Sequence, residues 1–125
     1  MKREWFSEPA EHWFFCEGYR CELKRHAELG FLNGYIYLPT SHPDFGKCYG
    51  EVENEVSVHG GLTFSDGGKF GFDCGHAGDL IPALEHAPNP TIDTYRNMEY
   101  VELQLRRLAE QFRQRENKSM EVSKC

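Results

Sequence analysis

The residues best equipped for chemistry crowd into the middle of the chain, where His59, Thr63, Asp73, His76 and Asp79 stand among Gly60, Gly61, Gly71, Gly75 and Gly78. A histidine near a carboxylate suits proton transfer, because the carboxylate fixes the imidazole tautomer and supports its charged form. Nine of the twelve glycines lie between Gly46 and Gly78. Glycine inside a strand forgoes packing and loses the most backbone entropy, so a ligand or another backbone approaching closely is the usual compensation. The expected ligand-binding set is therefore His59, Gly60, Gly61, Thr63, Gly71, Asp73, Gly75 and Asp79. Should the protein be an enzyme, His59, Asp73 and His76 are the expected catalytic residues. His59, His76, Asp73 and Asp79 are also chemically acceptable ligands for a divalent metal, but their spacing matches no ligand motif, so no metal is assigned and the cofactor is left unspecified.

The elements that must position these residues can be registered from pattern. Val56, Val58, Gly60, Leu62 and Phe64 share one face of a first strand, and Ser57, His59, Gly61, Thr63 and Ser65 share the other. In a second strand Phe70, Phe72, Cys74 and His76 share a face opposite Lys69, Gly71, Asp73 and Gly75. A three-residue turn at Asp66-Gly67-Gly68 pairs Phe64 with Phe70 and Leu62 with Phe72, sending both apolar faces to the core together. His59, Thr63 and Asp73 then border a shallow glycine floor on the opposite face, with Gly61 across from Asp73 and His59 diagonal to it, about 7 Å away. Bare backbone with polar walls suits a flat or phosphorylated ligand. In this register Cys74 faces the core, where a thiol is inert, which argues against a thiol nucleophile. Taken singly, the same residues have structural readings: a bulge at Gly60-Gly61, a turn cap at Asp73, a carbonyl partner for His59.

Around this centre the chain reads as strands first and a helix last. Residues 1–10 form an arm or short turn. Residues Trp13 to Leu38 read as two strands, with Tyr19, Cys21 and Leu23 alternating against Arg20, Glu22 and Lys24, and Phe31 to Leu38 stopped by Pro39. Thr40 to Gly46 is a loop. Ile92, Tyr95, Met98, Val101, Leu105, Leu108 and Phe112 recur at steps of three and four, the stripe of a helix capped at Asn89-Pro90 or Thr91. Arg96, Glu99, Glu102, Arg106, Glu110 and Arg113 form its solvated face. The expected fold is a single α+β domain over residues 1–116, a twisted antiparallel sheet of four or five strands with the helix on one face, followed by a flexible tail over 117–125.

Composition bounds the function. The 125 residues carry 14 basic and 20 acidic side chains, and 14 − 20 = −6 argues against a protein that coats nucleic acid. No apolar run approaches the ~20 residues needed to span a bilayer, so no membrane partner is expected. The five cysteines are irregularly spaced with no C-x-x-C pair, and the charged N-terminus shows no apolar signal region, so reduced thiols and a cytoplasmic location are expected. His12, His26, His42 and His86 read as structural or solvated, whereas Tyr35, Tyr37 and Tyr49 offer stacking walls for a base or sugar, although aromatic strand residues are mostly core, with Lys47 and Lys69 as local positive charge.

Four segments carry a resemblance: Gly34-Tyr35-Ile36-Tyr37-Leu38-Pro39; His42-Pro43 with Gly46 and Tyr49; Val58-His59-Gly60-Gly61-Leu62-Thr63-Phe64; and Gly71-Phe72-Asp73-Cys74-Gly75-His76-Ala77-Gly78-Asp79. From about Gly34 to Leu108 the chain resembles a group of small proteins encoded by tailed bacteriophages, and the resemblance brings no activity or catalytic residue with it. It implies a phage product acting in the bacterial host cytoplasm, where small phage proteins often counter host defence, sometimes by sequestering a nucleotide signal. The leading expectation is a protein that binds a small anionic, nucleotide-like ligand on the glycine-lined sheet face, with homo-oligomerisation as an open partner. The alternatives are a hydrolase or phosphodiesterase using His59 and Asp73, with or without a divalent metal, and a protein inhibitor of a host factor.

Overall fold

Hydrophobic alternation and glycine turns build a five-stranded sheet backed by one long helix. The computed structural model describes residues 4–84 and 93–123. In chain order the elements are helix α1 (Glu4–Ser7), strands β1 (Glu11–Cys16), β2 (Tyr19–Arg25) and β3 (Leu32–Tyr37), helix α2 (Tyr49–Val52), strands β4 (Phe64–Asp66) and β5 (Lys69–Asp73), a 3-10 turn at Pro82–Leu84, and helix α3 (Met98–Ser123). Every pairing is antiparallel and the spatial order is β1-β2-β3-β5-β4. This is the expected α+β architecture, with α3 against one face of the sheet.

The segment from Trp13 to Leu38 lies within three strands, not two. β1 and β2 form a tight hairpin through Glu17-Gly18, both at positive φ. β1 hides from an alternation test because it is aromatic on both faces: Phe14 packs on the core while Trp13 and Phe15 are 56% and 62% exposed.

The core lies between the sheet and α3. Cys21, Leu23, Leu32, Ile36, Phe70 and Phe72 of the sheet meet Val101, Leu105, Leu108, Ala109 and Phe112 of the helix, all essentially without solvent contact. Each such aliphatic or aromatic side chain contributes about 1.5–3 kcal/mol on burial. The rings of Phe70 and Phe112 lie 5.5 Å apart. Gly34 opens the space for this packing, since a Cβ there would stand 2.5 Å from the Phe72 ring.

The stripe enters the helix later than its period suggests. Asn97 caps it, its Oδ1 accepting the Tyr100 N–H at 2.8 Å, and Glu8 accepts the Met98 N–H at 2.8 Å. Tyr95 precedes the helix and packs against Trp5, with its hydroxyl on Glu8. The expected caps at Asn89, Pro90 and Thr91, together with Ile92 and His86, lie outside the described residues. At the other end, α3 continues to Ser123, where a tail from residue 117 was expected.

Candidate functional site

The turn between β4 and β5 decides which side chains meet. It contains two residues, Gly67 and Gly68, with φ of 53° and 95°, the left-handed pair a tight hairpin requires. Phe64 therefore pairs with Gly71, and Ser65 with Phe70, in place of the expected Phe64–Phe70 register. The long first strand is also absent. Only Phe64–Asp66 forms ladder pairs with β5, with the Thr63 N–H adding one bond to the Gly71 carbonyl, because Ser57 and His59 hydrogen-bond to α3 instead. The Ser57 N–H donates to Gln111 Oε1 at 2.7 Å, and the His59 N–H donates to Gln104 Oε1 at 2.9 Å. Two helix glutamines thus replace a neighbouring strand.

The expected site residues consequently fall into separate places. His59 lies on the helix side of the sheet, its ring edge-on to Tyr100 at 5.3 Å, and so shares that side with buried Cys74. Asp73 and Thr63 lie on the other face, with Thr63 Oγ1 donating to Asp73 Oδ2 at 3.1 Å. The anticipated neighbourhood of His59 and Asp73 is not formed. His59 is held by Asp79, while His76 Nδ1 lies 3.1 Å from Asp73 Oδ1. Asp73 also accepts the Gly75 N–H at 3.0 Å, the turn-capping role. The four residues weighed as a metal set thus divide into two pairs, and among the described residues no group of three or more His, Cys, Asp or Glu is placed to hold a metal.

Nor is the glycine floor bare. A Cβ at Gly71 would stand 2.6 Å from the Tyr35 ring, one at Gly75 would stand 2.9 Å from the Phe31 ring, and one at Gly60 would stand 2.8 Å from His76 Nδ1. The first two glycines make room for aromatic rings and Gly60 for an imidazole. Gly61 has open space around its Cβ direction and a φ of 80°, so it serves a turn.

What the register does assemble is an aromatic and cationic surface on the sheet face turned away from α3. Cross-strand pairing runs Phe15, Arg20, Tyr37, Lys69, Asp66 across all five strands in one row. The adjacent row runs Trp13, Glu22, Tyr35, Gly71, Phe64. Rows two residues apart on one face lie about 7 Å from each other. The Lys69 ammonium stands over three rings, 4.4 Å from the Tyr35 centroid, 5.2 Å from Tyr37 and 5.6 Å from Phe64. The Arg20 guanidinium stands 5.1 Å from the Trp13 ring and 5.7 Å from Tyr37. Glu22, nearly buried, lies 3.5 Å from Arg20 and 3.6 Å from Lys24 and accepts the Tyr37 hydroxyl. Among the described residues no carboxylate lies within ion-pair distance of Lys69. Trp13, Phe15, Arg20 and Phe64 were not on the expected list. The legible signal was parity, since Arg20 and Lys24 already formed the polar face of β2, and Tyr35 and Tyr37 share one face of β3.

A second cluster surrounds Asp79, which is 3% exposed. Burial pushes its carboxyl pKa up, but hydrogen bonds from His59, Arg96 and the His76 N–H outweigh this and hold it below the usual carboxylate range. Tyr100 and Arg96 belong to this cluster: Tyr100 lies in the first turn of α3, whereas Arg96, expected on the solvated face of the helix, precedes it and is held on Asp79. A third charged cluster is structural. Asp44, fully buried, receives Arg115 Nε at 2.6 Å, Arg115 Nη2 at 2.8 Å and Lys47 Nζ at 3.1 Å. His42 is likewise buried and structural, accepting the Asp44 N–H at Nδ1 and donating from Nε2 to the Phe112 carbonyl at 2.8 Å. Cys74 lies in the core with its thiol pushed up to about 12 by burial, then by Asp79 and Asp73.

No family model, no curated protein and no solved structure matches this chain. Among the described residues no helix is long and apolar enough to cross a membrane.

Proposed function

We propose that the protein binds a small anionic, nucleotide-like molecule on the sheet face turned away from α3. The observation that carries this reading is the Lys69 ammonium over Tyr35, Tyr37 and Phe64, flanked in the same rows by Arg20 between Trp13 and Tyr37. A nucleobase gains about 1–3 kcal/mol by stacking on one such ring. A phosphate oxygen gains a charge-assisted hydrogen bond from a lysine that stands over three ring faces with no ion-pair partner among the described residues. Thr63 and Asp73 stand at the rim of this face and supply a hydroxyl and a carboxylate for a sugar. The net charge of −6 disfavours a long polyanion and leaves room for a ligand with few phosphates. The likeness to the phage proteins supplies a setting, the host cytoplasm, and a use, withdrawal of a nucleotide signal from a host defence.

Titration calorimetry with AMP, ATP, adenosine and inorganic phosphate tests this. AMP binding is expected, weakened about 10- to 100-fold by Lys69→Ala, the ~1.5–3 kcal/mol of a hydrogen bond to a charged group. Inorganic phosphate is expected to bind more weakly than AMP, because it cannot stack. A flat titration with both AMP and ATP, together with no retained small molecule in native mass spectrometry, overturns the proposal.

A further inference from the structure

The cluster around Asp79 has an arrangement that ligand binding on the far sheet face does not use. His59 Nε2 lies 2.9 Å from both Asp79 oxygens, and His59 Nδ1 lies 2.8 Å from the Tyr100 hydroxyl. Asp79 also receives Arg96 Nε at 3.0 Å and the His76 N–H at 3.1 Å. An ionised carboxylate only accepts, so the neutral imidazole must carry its proton on Nε2 and its lone pair on Nδ1. The Tyr100 hydroxyl faces that lone pair and is therefore the donor. This is the logic of an activated nucleophile: a hydroxyl on a base, and the base oriented by a third group.

We propose that Tyr100 is a nucleophile toward a phosphoester, with His59 as its general base and Asp79 as the positioning residue. The Tyr100 oxygen attacks phosphorus and forms the new P–O bond, while the bond to the leaving oxygen breaks and its electron pair departs with that oxygen. The phenolic proton passes to His59 Nδ1 and from there to the leaving oxygen. Water, deprotonated by the same imidazole, then cleaves the phosphotyrosyl bond and returns the phenol. Arg96 supplies a cation beside this pair, its guanidinium carbon over the Tyr100 ring at 5.0 Å from the centroid and its Nε held on Asp79. Tyr100 also lines an open surface depression of about 400 Å³ with Asn97, Glu99, Glu102, Leu103 and Arg106, where Arg106 sets a cation against two carboxylates.

The test uses an alkyl phosphonyl fluoride on the full-length protein, with the modified residue located by peptide mass spectrometry. Attack forms the P–O bond and expels fluoride, so labelling reports nucleophilicity without knowledge of the natural substrate. Tyr100 is expected to label at least about tenfold faster than any of the other five tyrosines. His59→Gln is expected to slow Tyr100 labelling about 10²-fold, the usual contribution of a positioned base. The groups on the His59 ring are Asp79 and Tyr100, and Asp79 is shared with Arg96 and the His76 N–H. Tyr100 labelling is expected to fall in acid, and Asp79→Asn is expected to displace that pH profile. The proposal is overturned if Tyr100 labels no faster than exposed Tyr49, or if a His59→Gln variant with native circular dichroism labels at the wild-type rate. If His59→Gln fails to fold, the ranking of tyrosines and the pH profile of the wild-type protein decide alone. The AMP titration reads the opposite sheet face, so either result stands whatever the other shows.

Discussion

Two glycines on the central strands sit under aromatic rings, one in the core and one on the open face, and substituting each by alanine separates packing from binding. At Gly34 a Cβ would lie 2.5 Å from Phe72 and 3.3 Å from Leu105, both enclosed between sheet and helix. Neither can yield, so Gly34→Ala is expected to cost toward the upper end of the ~1–3 kcal/mol of overpacking. At Gly71 a Cβ would lie 2.6 Å from the Tyr35 ring, which stands on the open face and can swing away, and 3.2 Å from the Gly34 carbonyl oxygen, which must give by a few tenths of an ångström. The swing forfeits the edge-on contact with Phe64 at 5.6 Å, worth about 0.5–1.5 kcal/mol. It also forfeits the ammonium contact of Lys69, worth about 0.5–1 kcal/mol. Replacing a strand glycine returns roughly 0.5–1 kcal/mol of backbone entropy. The balance for Gly71→Ala is a loss of about 0–2 kcal/mol, while AMP affinity falls about tenfold, because the stacking ring and its lysine no longer converge. Urea melts followed by circular dichroism measure the first quantity and calorimetry the second. If Gly71→Ala costs as much as Gly34→Ala, Tyr35 is as rigid as a core ring. If AMP affinity is unchanged, the Tyr35–Lys69 couple is not the binding surface.

Other perturbations have definite signs. Leu105→Ala is expected to cost about 2–5 kcal/mol and exposed Leu103→Ala under about 0.5 kcal/mol in urea melts, since only the first leaves a cavity. Gly61→Val is expected to destabilise by about 1–2 kcal/mol with AMP affinity intact, because its φ of 80° is a left-handed conformation in open space. Asp44 and Asp79 are both held below the usual carboxylate range. A depressed folded-state value means stability present above the unfolded value of about 3.9 and lost as pH falls through the lower folded values, so thermal melts should collapse below about pH 4. Asp79→Ala is expected to remove about 3–5 kcal/mol and flatten part of that acid limb, because it leaves Arg96 and His59 without their carboxylate.

Local sequence determined the features that local forces set. The period of Val101, Leu105, Leu108 and Phe112 specified a helix and its buried face, and the alternation in β2 specified a strand with its core side, because both patterns report burial along a single element, while β3 was legible as a strand from its aromatic and β-branched content. The same parity already placed Arg20 and Lys69 away from the core, whereas the outward face of Tyr35 and Tyr37 emerged only from the pairing of β3. Which residues become neighbours was another matter. The register of β4 on β5 hung on whether the turn took two residues or three, and an apolar-pairing argument favoured three; the left-handed Gly67-Gly68 pair chose two and turned Phe64 outward. Residues 57–59 had strand alternation, but Gln104 and Gln111, more than forty residues away, satisfied their backbone groups and drew His59 to the helix. A glycine's tenant is likewise invisible along the chain: Gly71 signalled close approach, and only tertiary packing supplied the Tyr35 ring. The pairing of His59 with Asp79 and Tyr100 has the same origin, since hydrogen bonds between distant segments depend on loop closure and not on spacing.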